Sequence, residues 1–218
     1  MFHCTGIEDG TNMNTDDIIG LSLKAESLKR LRRTGWALVG LGSSDEETVA
    51  AHSWGTCLAS LLIAEKIRSD GNAVDLQKVL TMAILHDLPE AIVSDIPLTA
   101  VQFGGDSMKS SKEKAEAAAA RHMLDPLGEV GSFLAGLWEE FAACKTLEAR
   151  IVNAADKVDM LTHAVSLERA GCLPRLLDEF FPNSHHENAG SSLEVFEELY
   201  SKLLSLHRGN KPKPTWTY

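Results

Sequence analysis

Apolar residues recur at three- and four-residue steps along almost the whole chain, and no stretch alternates with period two for long. That spacing puts one face of a helix into a core and leaves no pattern for strands, so the expected fold class is all-α, an irregular helical bundle. A first helix is expected to begin after Asn14 or Thr15, either of which can cap the amides ahead of Asp16 and Asp17, and to run to about Leu31. A glycine-marked loop, RTGWALVGLGSSDEE, follows. The second helix, 48–68, is apolar nearly all round through Val49, Trp54, Leu58, Leu61, Leu62 and Ile63, which predicts a central buried helix. The third, 75–88, is interrupted at Pro89, since proline disfavours helical geometry in the residue before it. Residues 94–108 read as loop, and further helices are expected at 109–125, 130–142, 146–170 and 191–207, with an irregular start and an extended tail, GNKPKPTWTY.

With 218 residues, 44% of them hydrophobic, the chain can bury one sizeable core, and it shows no internal repeat or composition break, so one domain is expected. Acids outnumber bases by 31 to 21, and the net charge of −10 repels polyanions, so no nucleic-acid partner is expected. A small phosphorylated ligand remains compatible, because distant surface charge is screened within ~10 Å. Cys4, Cys57, Cys144 and Cys172 are widely spaced and read as free thiols in a reducing compartment. The opening MFHCTGIEDG lacks the features of a signal peptide, and the longest mostly apolar stretch, 48–64, is too short and too polar for a membrane span. A cytoplasmic protein without membrane attachment is expected.

His86 and Asp87 end an otherwise apolar helix in AILHDLPEAIVSDIP. Burying a carboxylate there costs several kcal/mol unless a cation meets it. His52, in ETVAAHSW, and Asp156, in IVNAADKVDML, are equally polar for their surroundings. Together they would supply two imidazole nitrogens and two carboxylate oxygens from three helices, a set suited to a divalent transition metal with positions left open. Taken singly, each has a plainer explanation: a core histidine is usually a hydrogen-bonded packing residue, and Asp156 could pair with Lys157 or Arg150. Only the combination points to a metal.

These segments carry a resemblance. RTGW at 33–36, ETVAAHSW at 47–54, ILHDLPEAIVSDIP at 84–97 and AADKVDML at 154–161 resemble the HD-domain phosphohydrolases, nearest to the branch that holds bacterial 5′-deoxynucleotidase. The similarity spans about residues 20–170, leaving 171–218 as a C-terminal extension. It implies His52, His86, Asp87 and Asp156 as ligands of one divalent ion, Mn, Co, Fe, Zn or Mg. It further implies Glu90 and Asp95 as the catalytic pair, Glu90 as acid/base and Asp95 for positioning, although both could equally be helix-start and loop-capping acids. Arg33 is the implied phosphate ligand, with Trp36 and Thr48 orienting a nucleotide. On residue type alone, the cluster Lys29, Arg30, Arg32 and Arg33 is more simply a solvated helix end, and Trp36 ordinary core. Asp159 and His163 share a helix face with Asp156 and are either supports of the ligands or structural.

The implied activity is removal of the 5′-phosphate from deoxynucleoside monophosphates, a small nucleotide being the partner. Cleavage of pyrophosphate from guanosine tetraphosphate and non-catalytic nucleotide binding are the alternatives. Dimers are common in the resembled branch, so a homodimer is the assembly it suggests. His185 and His186 read as loop residues.

Overall fold

The computed structural model describes residues 13–40, 47–182 and 193–209. The irregular start, the segment with His185 and His186, and the extended tail lie outside the described residues, as does Cys4. The fold is all-α. Nine α-helices are described: α1 (Thr15–Ala25), α2 (Thr34–Leu38), α3 (Val49–Ser69), α4 (Leu76–Leu85), α5 (Glu90–Val93), α6 (Leu98–Leu124), α7 (Gly128–Ala143), α8 (Leu147–Arg169) and α9 (Glu194–His207). Among the described residues the single β-type pairing is an isolated bridge between Arg32 and Thr48.

The helices begin where short polar side chains can accept from orphan amides. Asn14 accepts from Asp16 and Asp17, Thr48 from Ala51 at 3.2 Å, Asp75 from Lys78 at 3.0 Å and Thr146 from Ala149 at 3.3 Å. The centre is α3 laid along α8 and flanked by α4. Ile63, Met82, Ile151, Val152, Leu161 and Phe196 fill the main core, while Leu28, Val49, Leu85, Met123, Leu124 and Trp138 fill a second one under α6 and α7.

Four expectations need correction. The first helix ends at Ala25 rather than Leu31 and passes through a 3₁₀ turn, Glu26–Lys29, so that the chain can clip to the start of α3. There, Arg33 N donates to Glu47 O and Val49 N to Leu31 O, each at 2.9 Å. Second, the glycine-marked loop contains α2. Third, the span 94–108 is largely helix: α6 starts at Leu98, and the Gly104-Gly105 pair that reads as loop makes a break inside it, with Gly105 at φ 61°. Fourth, α3 is central but not wrapped on all sides. Trp54, Leu58 and Leu62, spaced one turn apart, form an exposed outer stripe because α4 and α8 cover only part of its circumference.

Among the described residues no helix is long and apolar enough to cross a membrane. Cys57, Cys144 and Cys172 are free thiols.

Candidate metal centre and its cleft

His52 sits in the second turn of α3, fully buried at 0% exposure. His86 caps the C-terminal end of α4, Asp87 follows in the tight turn that Pro89 closes, and Asp156 projects from the middle of α8. Four elements of sequence thus deliver their polar atoms to one place. His52 Nε2 lies 3.0 Å from Asp156 Oδ1, 3.4 Å from His86 Nε2 and 3.6 Å from Asp87 Oδ2. His86 Nε2 is 3.2 Å from Asp87 Oδ2. The donor atoms of His52, His86 and Asp87 lie within 4.8 Å of one another, and Asp156, at 27% side-chain exposure, joins them through His52 on the cleft side.

The far nitrogens of the two rings decide what this centre can hold. His86 Nδ1 is 2.8 Å from the Ala83 carbonyl oxygen, and His52 Nδ1 is 2.8 Å from Asp159 Oδ2. Both partners only accept, so each Nδ1 carries a hydrogen, and a ring in its neutral form turns an Nε2 lone pair inward. With both rings neutral, as a bound cation would keep them, two imidazole lone pairs and two carboxylates face one another with no hydrogen among them. Such a set fits a divalent cation. Without one, a proton takes that role: burial disfavours a charged His52, but its bonds to Asp156 and Asp159 outweigh burial and raise its pKa to about 10. Burial likewise opposes the charge on Asp87 and Asp156, yet the adjacent imidazoles hold both well below the usual carboxylate range.

Arg33 donates from Nη1 to Asp87 Oδ2 at 3.1 Å. Burial works against its charge, but Asp87, then Asp156 and Asp95, hold it protonated. Asp95 ties this corner together: its Oδ2 accepts from Thr34 N at 2.6 Å and its carbonyl from Thr34 Oγ1 at 2.8 Å, next to Arg33. Ser94, immediately before it, has φ 68° and ψ 166°, a region costly for any residue but glycine, as is common where a loop is forced into a working geometry. Glu90 opens α5 with 7% exposure, and its Oε2 has no hydrogen-bond partner among the described residues. Burial, then the charges of Asp87 and Asp95, push its pKa up to about 9. Burial therefore favours the protonated form over the carboxylate in the metal-free protein.

Of the remaining expected residues, Thr48 spends its hydroxyl on the α3 cap and its carbonyl on His52 N at 3.0 Å, and it sits opposite Arg32 in the isolated bridge. Trp36 does not reach the cleft. It is 2% exposed, its ring packs against Phe180 and His163, and its Nε1 donates to Glu47 Oε2 at 3.0 Å, so no face is left for a base. The indole belongs to the core because α2 turns it inward.

A cleft of about 240 Å³ opens over the centre, and its walls include Lys112, Trp138, Phe141 and Asn153, none of which stands out as a site residue in the sequence. Trp138 Nε1 donates to the His86 carbonyl at 3.1 Å and fixes the end of α4. Asn153 stands three residues before Asp156, and that spacing was the only signal in the sequence for its place on the same face. Lys112 pairs with Glu116 on α6 and looks like any solvated helical pair until the fold brings it to the cleft.

The HD domain family model matches residues 25–191. A Dictyostelium discoideum protein named 5′-deoxynucleotidase HDDC2 is 34% identical over 146 residues, covering 65% of this chain and 73% of its own. The human protein of that name is 26% identical over 159 residues, covering 72% of this chain and 71% of its own. Among solved structures, the PH0347 protein from Pyrococcus horikoshii superposes with a TM-score of 0.68 at 35% identity, covering 87% of this chain and 98% of its own. With more than half of its length matched by the family model and the paired histidines and aspartates converged, the chain belongs to the HD-domain family.

Proposed function

We propose that this chain is a metal-dependent phosphohydrolase that removes the 5′-phosphate from deoxynucleoside monophosphates. One observation carries the reading: a converged set of His and Asp side chains borders a cleft that the buried Glu90 also lines, and a buried arginine, Arg33, is paired with one of that set, Asp87. The relatives named 5′-deoxynucleotidase support the substrate class. His52, His86, Asp87 and Asp156 would hold the ion, which supplies Lewis acidity, offsetting phosphoryl charge and acidifying water.

The chain's own residues do the rest. Arg33 uses one nitrogen on Asp87 and retains donors for phosphate oxygens, a planar fork suited to them. Glu90, favoured in its neutral form by burial and lining the cleft, would give its proton to the departing 5′-oxygen, which would otherwise leave as a costly alkoxide. Asp95 holds the α2 start and so the direction of Arg33. The cleft volume of about 240 Å³ is below the roughly 300–1,000 Å³ of sites that enclose a drug-sized ligand, so the phosphoryl end and sugar fit inside with the base toward the mouth.

The test is phosphate release from a panel of deoxynucleoside and ribonucleoside monophosphates with Mn²⁺ or Co²⁺, run beside His86→Ala. Wild type is expected to turn over deoxynucleotides while His86→Ala stays at background; equal rates would refute the reading, and pyrophosphate release from guanosine tetraphosphate would redirect it. The same pair checks the metal by stability. A ligand present at about 1,000 times its Kd stabilises by roughly 4 kcal/mol, so chelator should lower the Tm of wild type by several degrees and leave His86→Ala unmoved.

Lys112 is a cation on the cleft wall, its side chain 28% exposed. A charge-assisted hydrogen bond is worth about 1.5–3 kcal/mol, so Lys112→Met is expected to raise KM for monophosphates about tenfold and to weaken inhibition by inorganic phosphate to match. Inhibition by the nucleoside product should not change. Steady-state kinetics with both inhibitors measures the difference.

A further inference from the structure

We propose that Asp159 is a positioning residue for the metal centre, locking the His52 ring so that Nε2 faces the ion, and that residue 55 is glycine to admit that carboxylate. The inference rests on the metal-dependent reading of the site. Asp159 stands one turn after Asp156 on α8, and Gly55 one turn after His52 on α3, so the two helices meet at a pair of matched steps. Asp159 Oδ2 is 2.8 Å from His52 Nδ1. Its other oxygen lies over Gly55: a Cβ built there would sit 1.9 Å from Oδ1, 2.5 Å from Cγ and 2.9 Å from Oδ2. No side-chain rotation of a few tenths of an ångström relieves such a clash, because the whole carboxylate occupies the space.

Glycine inside a 21-residue helix is a poor choice for stability, since alanine is the better helix former. The close approach explains it. Behind the same ring, Glu47 places a carboxylate within 4.8 Å of the His52 and Asp159 donor atoms, and Trp36 Nε1 anchors Glu47 at 3.0 Å. The buried Trp36 thus acts on the site through the back of His52. A carboxylate on the outer nitrogen fixes the ring's tautomer and direction and makes its inner nitrogen a better ligand; losing such a partner typically costs 10–100-fold in metal affinity. The competing explanation is a simple α3–α8 ion pair that holds the helices together and has no bearing on the metal.

Four proteins separate the two: wild type, Asp159→Ala, Gly55→Ala and the double variant, each measured for Co²⁺ affinity by chelator competition, for the Co²⁺ absorption spectrum, and for metal-free Tm. Asp159→Ala and Gly55→Ala should each weaken Co²⁺ about 10–100-fold. In the double variant the carboxylate is gone, so the added methyl meets nothing. Its Co²⁺ affinity should stay within about twofold of Asp159→Ala, while its Tm rises above that of Asp159→Ala as the helix gains alanine. Affinity and stability then move apart, which a purely structural pair would not allow. Losses that add in the double variant, or single variants that bind Co²⁺ as wild type does, overturn the inference and leave the metal reading standing. Wild type that binds no Co²⁺ overturns both. Gly55→Ala adds only one methyl, so it keeps the test open should Asp159→Ala fail to fold.

Discussion

Glu90→Gln is expected to lower kcat by about 10²–10⁴-fold while making the metal-free protein more stable at neutral pH, because glutamine keeps the shape and loses the proton. The sign follows from the shift. Glu90 is raised from 4.5 to about 9, chiefly by burial and then by Asp87 and Asp95. A raised carboxyl contributes its full stability below about pH 4.5, where it is protonated folded or unfolded, and loses it progressively as pH climbs toward 9. Glutamine has no proton to lose. The stability gap between variant and wild type should therefore be near zero at pH 4, grow to a few kcal/mol by pH 7–8, and level off above about 9. Urea unfolding across that range with chelator present reads it directly. The activity profile gives the complement: turnover by wild type should fall on the alkaline side as the acid ionises, with a bound cation drawing that limb below the metal-free value, and the residual activity of Glu90→Gln should lack the limb. A variant less stable than wild type at pH 8 would mean that Glu90 is ionised and paired in the fold.

Asp87→Ala should be the most damaging substitution in the site, for two separable reasons. It removes a donor from the cluster of His52 and His86, so metal binding and turnover fall to background. It also strands Arg33, whose Nη1 loses the carboxylate 3.1 Å away, with both side chains less than a fifth exposed. Breaking such a buried pair by deleting one partner typically costs 3–5 kcal/mol, about half the whole stability of an ordinary domain. His86→Ala should lose the metal equally but give up less metal-free stability, since no charge is left unpaired. Calorimetry with and without chelator distinguishes the two: if Asp87→Ala and His86→Ala unfold at the same temperature without metal, Arg33 does not depend on Asp87.

Some of this was legible along the chain, because it depends on neighbours in sequence. Helix type and approximate span follow from three- and four-residue spacing, and caps such as Asn14, Thr48 and Thr146 act within three residues of themselves. The pattern of His52, His86-Asp87 and Asp156 was conspicuous for a related reason: polar residues in apolar helices are costly unless something compensates them. Yet the pattern alone names candidates without distances. Their convergence required α4 to stop at Leu85 and α8 to lie along α3, so that residues 104 positions apart bring atoms within 3.0 Å.

What only the tertiary structure decided concerns which side of each helix meets which neighbour. Local pattern made 94–108 a loop, since Pro97, Gly104 and Gly105 all punctuate, whereas a helix starts directly after Pro97 and absorbs the glycines as a break. On residue type it made Trp36 more simply core than nucleotide contact, and α2 turns it into the core. Lys112 and Asn153 carry no mark of a cleft, because solvated and cleft-facing positions use the same polar residues. Gly55 reads as a mere weakness in a helix until Asp159 arrives from another one. Short-range energetics write helices into the order of residues; side chains from distant segments acquire their partners, their charge states and their chemistry only when the helices pack.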